Sequence, residues 1–232
     1  MAIITGTGSN DTPSGWVDAG LITAQGGAGT ATADDSGAVA GAATGDGVTP
    51  GTRIATPRGE VAVECLRPGD LVLTRDDGYV PLSWVGQRDL TADEIAAHAP
   101  VRIAKGALGQ GAPECDMVVS PWQRMLMTGP RAQLFFGENE VLVPAVHMVT
   151  WPGVTRVLAQ RPVSYLHVMF EDHQIICADG AWTESAEPGG IGVSDLGVAQ
   201  RQGRFAMPPA PRACLAARMT LRAHESRLLM PA

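Results

Sequence analysis

The 232-residue chain is 45% hydrophobic and 18% charged, which supplies enough apolar side chain for one buried core with appendages. Its formal net charge of −7 argues against a nucleic-acid or anionic-membrane surface. No apolar run approaches the roughly eighteen residues of a membrane-crossing helix.

The opening Met1-Ala2-Ile3-Ile4-Thr5-Gly6 lacks the basic and long apolar regions of a classical signal peptide, which leaves a cytoplasmic site or export by another route. Residues 1–47 form a low-complexity arm dominated by Gly, Ala and Thr, with no Lys or Arg before Arg53. Such a segment buries too little apolar surface to offset its ordering entropy and is expected to be partly flexible unless it docks. Gly6-Thr7-Gly8-Ser9-Asn10-Asp11-Thr12 is one imperfect copy of a glycine-aspartate calcium repeat, and a single copy has no neighbour to stack on.

From Thr52 the texture changes. Thr52–Thr56 reads as a strand, Pro57-Arg58-Gly59 as a turn and Glu60–Val63 as a second strand. After the turn Arg67-Pro68-Gly69-Asp70 come a strand at Leu71–Thr74, a hairpin turn at Asp76-Asp77-Gly78 and a strand over Tyr79–Val85. Leu90–Ala97 is a short helix candidate, with Thr91 as N-cap and Glu94 three residues on. Strands follow at Pro100–Ile103, Asp116–Ser120, Arg124–Met127 and Glu140–Val143, then a helical turn at Ala145–Val149. Val163–Glu171, Gln174–Cys177 and Ala181–Thr183 close the series. Turn signals about every ten residues predict an all-β meander or barrel over residues 48–186. Residues 187–211, with Glu187-Pro188-Gly189-Gly190 and Pro208-Pro209-Ala210-Pro211, read as a linker. Residues 212–232 carry a predicted helix, Ala213–Leu229, ended by Pro231.

Cys65, Cys115, Cys177 and Cys214 are widely spaced; they allow three disulfide pairings and read first as free thiols packed like small apolar residues. His167 alternates with Tyr165 and Met169 on one strand face and reads as a core or edge histidine. His167 and His173 lack metal-ligand spacing, so neither a metal nor another cofactor is expected. Trp84, Trp122, Trp151 and Trp182 are most simply core or edge aromatics. With no Gly-x-Ser-x-Gly elbow and no phosphate loop, a hydrolase acting on other molecules is disfavoured.

Three blocks, read together, resemble a bacterial Hint (Hedgehog/intein-type) domain. The first is Thr49-Pro50-Gly51-Thr52-Arg53-Ile54-Ala55-Thr56, continuing to Arg67-Pro68-Gly69-Asp70-Leu71-Val72-Leu73. The second is Val118-Val119-Ser120-Pro121-Trp122-Gln123-Arg124-Met125-Leu126. The third runs Tyr165-Leu166-His167-Val168-Met169-Phe170, then His173, then Ala178-Asp179-Gly180-Ala181-Trp182-Thr183-Glu184-Ser185. The resemblance implies the all-β Hint fold and a self-processing chemistry. In that chemistry a Cys or Ser at the first domain position attacks the preceding carbonyl, by an N–S or N–O acyl shift. A central His protonates the leaving amine, and a Ser or Thr positions the carbonyl.

Set on this chain, the resemblance places the junction between Asp46 and Gly47. Glycine has no attacking atom. The central His is replaced by Gln123, which hydrogen-bonds but transfers no proton near neutral pH. Splicing relatives close on His-Asn, whereas Glu184-Ser185 stands here. Ser120, His173 and Asp179 remain as candidate site residues. Two readings follow: a degenerate domain kept as a monomeric structural or interaction module with a protein partner, or a still-active domain that releases residues 1–46.

Overall fold

The computed structural model describes residues 46–91, 94–95, 98–159, 163–186 and 216–230, together with the backbone of 16–18. The calcium-like stretch at 6–12, Cys214 and the linker at 187–211 lie outside the described residues.

Short antiparallel strands dominate, as the turn spacing predicts. β1 (Trp16–Asp18), β2 (Arg53–Thr56), β3 (Gly59–Ala62), β4 (Leu71–Thr74), β5 (Gly78–Pro81), β6 (Trp84–Asp89) and β7 (Val101–Ile103) make up the first half. β8 (Met117–Val119), β9 (Arg124–Thr128), β10 (Glu140–Pro144), β11 (Val154–Ala159), β12 (Ser164–Met169), β13 (Ile175–Ala178) and β14 (Ala181–Glu184) make up the second. The largest sheet runs β10-β9-β14-β13-β2-β3, with β4 and β5 attached through β13; β1-β11-β7-β8 and β12-β6 form two more.

Local chemistry sets the hairpins. At the β2–β3 turn the Thr56 hydroxyl donates to Gly59 O (2.6 Å) and accepts from Arg58 N–H (3.2 Å). The β4–β5 turn repeats the device: Thr74 Oγ1 donates to Gly78 O at 2.8 Å and accepts from Asp77 N–H at 3.2 Å. Gly78 sits at φ +68°, in the left-handed region that glycine enters without steric cost. Alternation then delivers Ile54, Val72, Val101, Ile103 and Met125 to one continuous core with Val63, Leu66, Leu166 and Phe170. Each such side chain, fully buried, contributes about 1.5–3 kcal/mol.

The structure corrects several predicted elements. The single strand expected over Tyr79–Val85 is two. Leu82 N–H donates to Asp70 O and Ser83 N–H to Met169 O, so the chain changes partner there from β4 to β12. The strand β11 and a helix at Pro130–Phe136 were not anticipated. Of the predicted helix Ala213–Leu229, the described residues 216–229 are helical only in one turn at Ala223–Ser226 and a 3₁₀ turn at Arg227–Leu229. Before it, Leu142 N–H donates to Met219 O and Leu221 N–H to Leu142 O, both at 2.8 Å, so the segment lies extended along the free edge of β10. Strand-type bonds to an open edge outweigh a weak helix propensity there. Of the predicted capping pair, the Glu94 half is formed: Glu94 Oε2 accepts from both the Thr91 N–H and its hydroxyl, each at 2.8 Å.

In β6, which pairs with β12 over six residues, the Trp84 indole folds back across Gly86, where an added Cβ would lie 1.9 Å from the ring. Gly86→Ala is therefore expected to evict the indole, cost about 1–3 kcal/mol, and lower the melting temperature by several degrees in a calorimetric scan. An unchanged melting temperature would refute the packing argument.

Candidate functional site

The site is assembled where the chain first enters the barrel. Val48 inserts between β8 and β12, bridging both Val119 and Leu166 in antiparallel sense. Val48 N–H donates to Leu166 O at 3.0 Å and Leu166 N–H returns to Val48 O at 2.8 Å. Thr49 Oγ1 donates to Val118 O at 2.9 Å, and Ser120 N–H donates to Gly47 O at 2.9 Å. Gly47 itself is buried and holds φ +144°, a conformation that side-chain-bearing residues rarely adopt. A Cβ added to it would stand 2.9 Å from Tyr165 Cβ, 3.1 Å from Leu166 O and 3.2 Å from His167 Cε1. A side chain at residue 47 would therefore have to displace these neighbours.

Gln123 faces that glycine from the loop between β8 and β9. Its Oε1 accepts from Gly47 N–H at 2.7 Å, while Nε2 donates to Thr183 Oγ1 (2.6 Å) and to Glu184 O (2.7 Å). The amide orientation follows from its partners: Gly47 N–H only donates and Glu184 O only accepts. The Thr183 hydroxyl in turn donates to Arg124 O at 2.8 Å, completing the chain of bonds. Ser120 shapes the loop beneath: its Oγ accepts from Trp122 N–H at 3.2 Å, and its carbonyl accepts from Gln123 N–H at 3.1 Å.

An ionic cluster adjoins this network, buried at Glu184 and His173 and partly exposed at Arg124 and Asp46. Glu184 Oε2 lies 2.5 Å from Arg124 Nε, and Arg124 Nη2 lies 3.6 Å from Asp46 Oδ2. Glu184 Oε1 accepts from Ala217 N–H at 2.9 Å and lies 3.4 Å from His173 Nδ1. The other ring nitrogen of His173, Nε2, donates to Ser185 O at 2.9 Å. Asp46, Gly47, Ser120 and Gln123 thus come together at the junction, with His173 linked to it through Glu184 and Arg124.

Asp179 stands apart. It occupies the β13–β14 turn, at the end of the hairpin opposite the Ile175–Glu184 pair. There its Oδ1 accepts from Arg53 N–H at 2.9 Å and its backbone holds φ +48°. Burial pushes its carboxyl above the usual range. Cys115 and Cys177 are free thiols near this turn, each raised chiefly by burial, and Cys65 is a free thiol on the 3₁₀ turn Val63–Cys65. None of the three stands at Gly47.

The Hint domain family matches residues 47–190, more than half of the chain. The chain belongs to the Hint domain family. The crystal structure of the gp41-1 intein aligns at 15% identity, covering 60% of this chain and 98% of that one, with a TM-score of 0.38. A bacterial intein-like domain from Clostridium thermocellum aligns at 14% identity over 60% and 97% of the two chains, also at 0.38. No curated protein matches in sequence.

Within this Hint domain, the sequence left several neighbours of the junction unforeseen. Strict alternation in β14 turns Thr183 inward and Glu184 outward, yet both are buried. The Glu184–Arg124 pair joins residues far apart in the chain, and periodicity carries no trace of it. His167, read as a core or edge histidine, is buried beside Gly47; its Nδ1 has no hydrogen-bond partner among the described residues. Burial first, and Arg88 second, pull its pKa down to about 4. Among the described residues no three His, Cys, Asp or Glu side chains gather to hold a metal ion, and no helix is long and apolar enough to cross a membrane.

Removing the Gln123 amide would strand buried donors and acceptors. Gln123→Ala is expected to cost about 2–5 kcal/mol in urea unfolding, because Gly47 N–H and Glu184 O each lose a partner. Gln123→Glu should cost more, since a carboxylate oxygen would then face the Glu184 carbonyl. A loss below about 1 kcal/mol for either variant would contradict the network.

His167 makes stability depend on pH. Its folded pKa of about 4 lies below its ordinary 6.5, so between those values the unfolded chain takes up a proton that the folded chain refuses. Its contribution is complete above about pH 6.5 and declines toward pH 4, by up to ~1.4 kcal/mol per pH unit. His167→Gln should flatten that part of the stability profile. Parallel profiles for parent and variant between pH 7 and pH 4.5 would refute the assignment.

Proposed function

We propose that this Hint domain no longer cuts its own chain and serves, as a monomer, as a structural or interaction module for a protein partner. The observation that carries the reading is the 2.7 Å bond from Gly47 N–H to Gln123 Oε1. Self-processing needs a nucleophile on residue 47 to attack the Asp46 carbonyl carbon, and an acid to protonate the departing Gly47 nitrogen. Residue 47 carries no such atom. The group beside its nitrogen presents an oxygen lone pair, which receives the amide hydrogen and supplies none. Its two amide hydrogens are committed to Thr183 and Glu184.

The surroundings support the same conclusion. A Cβ at residue 47 would collide with Tyr165 and the Leu166 carbonyl, so the cavity is shaped to glycine. Nothing in the core depends on a reactive group, and a barrel that keeps its packing can persist as a scaffold. The carboxylate of Asp46 is held toward Arg124, and the Gly47 nitrogen toward Gln123. Both placements oppose succinimide closure across the Asp46–Gly47 bond.

The decisive measurement is the intact mass of the purified chain after several days at pH 7, with and without an added thiol. One unchanged mass is expected throughout. A fragment beginning at Gly47 would overturn the proposal and reinstate a domain that releases residues 1–46. The double variant Gly47→Cys with Gln123→His is expected to remain uncut and to melt lower than the parent, because the new side chain meets backbone and Cβ atoms that cannot swing aside.

A further inference from the structure

We propose that residues 216–230 are a separable peptide ligand of the barrel, seated in a groove that recognises an extended segment bearing an arginine and, three residues later, a leucine. The main chain docks by strand addition, with Leu142 N–H donating to Met219 O and Leu221 N–H donating to Leu142 O. Side chains supply selectivity. Arg218 reaches Asp76 Oδ1 (2.6 Å) with Nη2 and Glu140 Oε2 (2.8 Å) with Nε, a notch of two carboxylates that a guanidinium fork fits. Leu221 is buried in the main core, and Ala217 packs against the cluster of Leu126, Leu142 and Ile175. Beyond it, His147 Nδ1 faces Leu221 O at 3.3 Å, and Ser226 Oγ donates to His147 O at 3.0 Å. Backbone bonds for affinity and side-chain pockets for choice are how sheet edges read extended peptides.

Two observations separate the ligand from its receptor. The groove residues Asp76, Glu140, Leu142 and Glu184 sit on hairpins that pair without the tail: β4 with β5, β9 with β10, β13 with β14. The tail is also an imperfect fit, for Thr220 Oγ1 is buried with no hydrogen-bond partner among the described residues. A self-ligand of that kind occupies the groove yet yields to a better one. The inference deepens the module reading by naming what the module binds, and it stands or falls independently of the mass measurement above.

The test uses the full chain carrying Arg218→Glu and Leu221→Asp, so that its own tail is ejected. A fluorescent peptide of residues 216–230 is titrated into it and into the parent chain, and binding is followed by anisotropy. The expected result is saturable binding to the variant, whose circular dichroism matches the parent's. Binding to the parent should be at least about a hundredfold weaker, because the attached tail competes at high effective concentration. A Thr220→Val peptide should bind the variant about tenfold more tightly. Three results would overturn the proposal: no binding to the folded variant, equal binding to both chains, or an unfolded variant, which would make the tail part of the core.

Discussion

One carboxamide holds the entrance of this barrel together. Gln123 draws on the incoming chain at Gly47, on the side chain of Thr183 and on the main chain of Glu184, all out of contact with water. A buried polar network of this type stabilises only if every member is satisfied, and here donor meets acceptor at each step through to Arg124 O. Imidazole at the same place would have two nitrogens for three partners. Glutamine meets all three, with one oxygen and two amide hydrogens.

That constraint extends outward through Glu184. Its carbonyl belongs to the Gln123 network, while its carboxylate ties Arg124, His173 and the tail at Ala217. An ion cluster largely enclosed in this way is a weak source of net stability, because desolvation offsets much of the attraction. Its effect is on specificity: it sets how β9, β14 and the tail meet. Glu184 is in this sense a structural crossroads.

The all-β character was legible because turns punctuate the chain so regularly. Thr56-Pro57-Arg58-Gly59 and Asp76-Asp77-Gly78 mark hairpin corners on their own chemistry, and Thr91 with Glu94 marks a helix start. The helix at Pro130–Phe136 carried a readable sign as well, a proline at its first turn and Gly137 at its end. Other features had no local signal. The break after Pro81 depends on two different partner strands. The tail, rich in Ala, Leu and Arg, looks helical until the open edge of β10 is in view. At the site, Gly47 and Gln123 were linked in advance only by what the resemblance to the Hint family implies. The closeness of Tyr165 and His167 to Gly47, and the burial of Glu184, arise from strands meeting across the barrel and are invisible to spacing.

The insertion of Val48 between β8 and β12 has a mechanical consequence. Its bonds run crosswise to the chain on both flanks. A pull on the polypeptide ahead of Asp46 would therefore load them side by side in shear, and could not peel them apart one at a time. The entry of the chain into the barrel is thus built as an anchor able to carry tension.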